Sequence, residues 1–213
     1  ILALTVGLLV YLAIGTWLDA NEFAAELPAF WQGVPMVLFI ALITLGVLLA
    51  VGSVRRGTES TPLGIAYRIA FGIGLHNLGE GLAIGAAFAS GEAALGTFLI
   101  LGFTLHNITE GVGIAAPIVR NNPGLRHFAL LLLMAGGPAI LGTWIGGFAF
   151  NPVLATIFLA IGVGAILQVV WEVGKLVAKD TERLGLPLVN WVNLSGLVAG
   201  LALMYFTAFM VKF

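Results

Sequence analysis

Two stretches decide how this chain reads: LHNLGEGLAIG at 75–85 and LHNITEGVGIA at 105–115. Each holds a His followed at once by Asn, a Glu four residues after the His, and a Gly directly after the Glu. Each lies within a long apolar run. Polar groups are costly there, because a charge at the centre of a membrane helix costs at least about 2.5–3.5 kcal/mol. The same three polar residue types, placed twice and thirty residues apart, call for a chemical reason.

Composition defines the surroundings. Of 213 residues, 60% are hydrophobic and 9% charged, whereas soluble domains carry about 25% charged residues. So few charges cannot cover a surface facing water, so the chain reads as an all-α polytopic membrane protein. A net charge of −1 excludes a nucleic-acid binder. The absence of Cys excludes disulfides, thiolate metal sites and Cys nucleophiles. There is no nucleotide-binding loop, so ATP is not the direct source of work and no nucleotide partner is expected.

A membrane-spanning helix needs roughly 20 mainly apolar residues. Seven segments qualify, at about 1–18, 34–53, 66–90, 94–118, 128–149, 153–176 and 188–211, and they form one helical domain over 1–213. The connections between them carry turn residues. The apolar run already under way at Ile1 reads as a span rather than a signal peptide, since no small-residue cleavage site follows it. The 29 glycines fall mostly within spans, where small residues let helices approach closely. Gly81 and Gly111 are expected at such positions.

Lys and Arg set the orientation. Arg55, Arg56, Arg68, Arg120, Arg126, Lys175, Lys179 and Arg183 surround three connections on one side, and Lys212 stands alone on the other. The first side is therefore expected to be cytoplasmic and the C-terminus outside, in a cell (inner) membrane. Asp19, Glu22 and Glu26 fall in an outer loop without a basic residue and read as solvated.

Three acidic residues fall well inside spans: Glu80, Glu110 and Glu172. None is expected to have a basic partner at helical spacing within the membrane, so a proton or a metal cation has to supply the positive charge. His76, Asn77 and Glu80 share one helix face by their i+3 and i+4 spacing, and His106, Asn107 and Glu110 repeat it on the next span. The short turn near 91–93 makes the two spans an antiparallel hairpin whose midpoint lies halfway between the motifs. Glu80 is then level with Asn107, and Glu110 with Asn77, about 18–27 Å below the turn.

Imidazole and carboxylate together suit Zn²⁺, Fe²⁺ and Mn²⁺. Six convergent groups exceed what one tetrahedral ion takes, and two sites bridged by Glu80 and Glu110 would use them all. A lone buried His is more often a hydrogen-bonded core residue than a ligand, and a lone buried Glu can simply be protonated. Duplication at matching height speaks against both. An intramembrane zinc-dependent hydrolase is the rival class, but there is no H-E-x-x-H and no spare base. A retinal protein linked through Lys175 would leave the doubled motif unexplained.

These motifs resemble those of the ZIP family, the zinc- and iron-regulated-transporter-like metal transporters, and most closely its GufA-like branch, which carries H-N-x-P-E-G in both copies. The resemblance implies an eight-span plan, of which the seven present would be the second to the eighth. It implies a first metal site from His76, Glu80, His106 and Glu110, and a second from Asn77 and Asn107 with both glutamates shared. A carboxylate after a G-A-x-x-x-V-V run in the family matches Glu172 in GAILQVVWEVG, and Gln168 one turn earlier would line the same path. The family's Pro is Gly79 in the first copy and Thr109 in the second. The implied function is transport of divalent transition metals (zinc first, also iron, manganese or cadmium) toward the cytoplasm, with the ion as cargo and no prosthetic group. The expected partners are the ion, the lipid bilayer and, as one option, a second copy of the chain.

Overall fold

The computed structural model describes residues 1–54, 61–119, 121 and 123–211. All regular structure among them is helical: α1 (Leu2–Ala25), α2 (Gly33–Val54), α3 (Pro62–Ala89), α4 (Ala93–Ala115), α5 (Leu125–Ala149), α6 (Pro152–Arg183) and α7 (Trp191–Val211), with a short 3₁₀ turn at Ala29–Trp31. The seven helices fall on the seven expected segments. Arg55, Arg56, Arg120 and Lys212, used above to orient the chain, lie outside the described residues.

Several helices overrun the expected spans. α1 continues through Asp19, Asn21 and Glu22 to Ala25, and Asn21 Nδ2 donates to Trp17 O at 2.6 Å. α6 continues through Lys175, Lys179 and Asp180 to Arg183. Ala and Glu in α1, and Lys, Glu and Arg in α6, follow the apolar run and are good helix formers, so the helix outlasts the hydrophobic stretch. His127 lies in the first turn of α5, where its Nδ1 meets the Tyr67 hydroxyl at 2.9 Å.

Local chemistry fixes the ends. α3 and α6 each begin with Pro at the first helical position, behind a capping side chain: Thr61 Oγ1 accepts from Gly64 N at 3.1 Å and Asn151 Oδ1 from Val153 N at 2.8 Å. α3 ends in a Schellman turn around Gly91, whose φ of +81° is left-handed. There Gly91 N donates to Phe88 O at 3.1 Å and Glu92 N to Ala87 O at 2.9 Å. This compact turn leads straight into α4 and makes the α3–α4 hairpin.

The bundle has two groups. α3 packs on α5 and α4, while α1 packs on α6, α7 and α2; α6 joins the groups by packing on α3 as well as on α2. α3 and α5 meet along a glycine seam. A Cβ added at Gly81 would stand 2.0 Å from Ala139 O, one at Gly85 2.1 Å from Thr143 O, and one at Gly142 2.0 Å from Leu78 O. Gly81 therefore is the close-approach position expected of it. Gly111 is not: nothing lies within 4 Å of its Cβ direction.

Among the described residues, six helices are long and apolar enough to cross a membrane. α3, which carries Arg68, His76, Asn77 and Glu80, is not counted with them. Instead it is shielded by protein, with His76, Asn77, Gly79, Glu80 and Gly81 all buried.

The seam predicts that Gly142→Ala costs about 1–3 kcal/mol, since its Cβ meets backbone that cannot rotate away. Gly15→Ala, on an open face of α1, should be neutral or slightly stabilising through helix propensity. Thermal unfolding of the two variants in detergent checks this; equal midpoints would refute the seam as a rigid contact.

Candidate metal-ion site

The hairpin places the two motifs side by side. His76 Nε2 lies 2.9 Å from Glu80 Oε1 across one turn of α3, and His106 Nε2 of α4 reaches the same oxygen. The two imidazole rings stand 6.3 Å apart, tilted by 34°, with the Glu80 carboxylate between their Nε2 atoms. Ligand atoms of His76, Glu80 and His106 all fall within 4.8 Å of one another, and all three residues are buried. Two nitrogens and one oxygen converging in this way could hold a borderline-soft divalent cation.

The remaining motif residues surround this cluster. Glu110 is 5% exposed, and neither carboxylate oxygen has a hydrogen-bond partner. The Oδ1 atoms of Asn77 and Asn107 are likewise buried and unpartnered. Asn77 is held from its other end: Nδ2 donates to Ala135 O of α5 at 3.0 Å, in the turn of α5 that precedes the interior Pro138. Asn77, Asn107, Glu110 and Gly111 line one side of a half-open cavity of about 260 Å³, whose remaining lining, mostly from α3, α4 and α5, is apolar. That volume holds several waters or a partly hydrated ion. Buried polar atoms normally find partners, and these four oxygens border one cavity.

The Pro replacements fit their surroundings differently. Gly79 is buried against Leu159 of α6, where a Cβ would stand 3.1 Å from Leu159 Cδ2. Thr109 Oγ1 donates to His106 O at 2.6 Å. The Thr109 hydroxyl thus tethers the backbone turn that carries His106.

The two α6 residues stand apart from this cluster. Gln168 is buried against Gly72 of α3, and Glu172 lies one turn further along α6. The expectation that Glu172 lacks a basic partner is wrong. Lys175 Nζ, at i+3, lies 3.1 Å from Oε1, and Arg68 Nη2 of α3 lies 3.5 Å from Oε2. The Lys175 pairing was legible from spacing alone; the Arg68 pairing depends on α3 packing against α6. A further polar contact, Thr16 Oγ1 of α1 at 3.5 Å from His76 Nδ1, carries no sequence signal.

The model of the ZIP zinc transporter family matches residues 55–208. The chain belongs to this family. Its members are transporters and not enzymes, which removes the hydrolase reading and makes the chain an integral membrane protein that carries divalent metal ions. No curated protein and no solved structure gives a significant match to the chain.

An unpaired buried carboxylate destabilises the metal-free protein. Glu110→Gln is therefore expected to raise the unfolding midpoint without metal and to shrink the rise that added Zn²⁺ produces. Differential scanning with and without Zn²⁺ measures both, and a lowered metal-free midpoint would count against an unpaired Glu110.

Proposed function

We propose that the protein moves divalent transition-metal ions, zinc above all and also iron, manganese or cadmium, toward the cytoplasm through a paired site in the α3–α4 hairpin. The observation that carries this reading is the orphaned Glu110 carboxylate beside the His76–Glu80–His106 cluster. In the first site the ion takes the two Nε2 atoms and Glu80, with Glu110 as fourth ligand. In the second, Asn77 and Asn107 supply oxygens, and the two glutamates serve both ions.

Charge and donor type support the assignment. The contact between His76 Nε2 and Glu80 Oε1 requires a proton between nitrogen and oxygen. A divalent cation replaces that proton and also neutralises Glu110. Imidazole nitrogen favours transition metals over Mg²⁺ and Ca²⁺. The cavity, apolar except where Asn77, Asn107 and Glu110 border it, has room for residual water, so the ion sheds its hydration in stages.

The path then passes Gln168 and Glu172. Glu172 already holds Arg68 and Lys175, so an ion leaving this way displaces them in turn. Because Arg68 stands on α3 and Glu172 on α6, the same ion pair ties the two helix groups together. Eight of the nine basic residues fall at connections on this side, which supports a cytoplasmic exit and an external C-terminus in the inner membrane.

Three outcomes test the reading. In proteoliposomes, Glu80→Ala should reduce Zn²⁺ uptake to that of empty vesicles; wild-type uptake by this variant would sink the assignment. Binding requires neutral imidazoles and ionised carboxylates, so the initial rate should fall as pH drops from neutral to mildly acidic values. A rate that rises instead would point to proton-driven exchange. Glu172→Gln should slow maximal uptake several-fold while leaving Zn²⁺ affinity near wild type, and an equal loss of affinity would place Glu172 within the binding site.

A further inference from the structure

One polar contact to the ligand cluster comes from a helix outside the hairpin. Thr16 of α1 is 3% exposed, and its Oγ1 lies 2.9 Å from Leu12 O and 3.5 Å from His76 Nδ1. A hydroxyl has a single proton to donate, and a backbone carbonyl can only accept. The shorter contact takes the proton, so Thr16 donates to Leu12 O. Toward His76 the hydroxyl oxygen can then act only as an acceptor. Once a cation takes the place of the proton between Nε2 and Glu80 Oε1, the neutral ring carries its one proton on Nδ1, facing this acceptor at 3.5 Å, and its lone pair on Nε2. Nε2 is the atom that faces Glu80 Oε1 and belongs to the ligand cluster.

The packing keeps this contact in place. Gly162 of α6 backs directly onto the pair: a Cβ there would stand 3.4 Å from His76 Cα, 3.5 Å from Nδ1 and 3.7 Å from Thr16 Cγ2. Helices α1, α3 and α6 thus meet at one imidazole. Metal-bound His rings generally donate their second N–H to a fixed acceptor, which sets tautomer and ring orientation.

We propose that Thr16 is a positioning residue for the transported ion, holding His76 as the Nδ1–H tautomer so that Nε2 is presented to the metal. This rests on the metal-site reading above. Thr16 touches no ion itself; it acts through His76. The hydroxyl of α1 thereby makes the site in the hairpin depend on the other helix group.

The test compares Zn²⁺ affinity, by titration calorimetry of the purified full chain in detergent, for wild type, Thr16→Val and Thr16→Ser. Val keeps the shape and removes the acceptor, so binding should weaken by about 10- to 100-fold. Ser keeps the acceptor and should recover most of the affinity, which a purely steric role for Thr16 would not give. A second readout is the ¹⁵N spectrum of His-labelled wild type loaded with ¹¹³Cd²⁺, in which coupling should appear at His76 Nε2 with a proton on Nδ1. Wild-type affinity in Thr16→Val, equal losses in Val and Ser, or coupling at Nδ1 would each overturn the proposal. If Thr16→Val does not fold, the Ser variant and the wild-type spectrum decide. Glu80→Ala separates the two levels. Binding kept in Glu80→Ala refutes the site itself, and the role of Thr16 with it. Binding lost in Glu80→Ala but unchanged in Thr16→Val refutes Thr16 alone.

Discussion

The structure turns on a carboxylate pair placed in an apolar bundle with too little positive charge around it. Glu80 is shared by two imidazoles, and among the described residues the Glu110 carboxylate oxygens have no hydrogen-bond partner. In water this would be unremarkable; at depth in a low-dielectric bundle it has to be relieved by a cation or by protons. Glu172 shows what a settled carboxylate looks like in the same fold, with one basic side chain at each oxygen. The contrast separates a residue that anchors from residues that wait for a ligand.

The rest of the architecture serves that placement. A left-handed Gly91 folds α4 back along α3 within a few residues, which brings His106 to Glu80. The glycine seam lets α5 press against α3 closely enough for Ala135 O to hold the Asn77 amide. With Nδ2 occupied there, Asn77 Oδ1 is left for the cavity. Each device acts locally, and together they set six polar side chains in one layer of an apolar bundle.

Much of this was legible in the sequence, because helical spacing and the cost of burying charge are strong constraints. The i, i+4 repeat and the midpoint turn were enough to predict that the two motifs meet. What was not legible depends on which helix lies opposite. Gly81 and Gly111 follow a Glu in the same way, yet one meets the backbone of α5 and the other faces open space. Arg68 and Glu172 are far apart in the chain and pair only because α3 packs on α6. Helix ends were missed where charged helix formers extend an apolar run, as in α1 and α6. The match to the family model begins at residue 55, after α2, so the α1 contact to His76 lies beyond what that match describes.

The modest apolarity of α3 has a consequence for how the protein is made. Among the described residues α3 falls short of the apolarity that marks the other six helices as long and apolar enough to cross a membrane, and it is synthesised before α5, its main shield. Until α5 emerges, the imidazole, amide and carboxylate of α3 have only the earlier helices and α4 to cover them. The cover that α5 gives α3 is therefore supplied by sequence that follows it. The polar chemistry that suits the helix to carrying metal also ties its biogenesis to its neighbours.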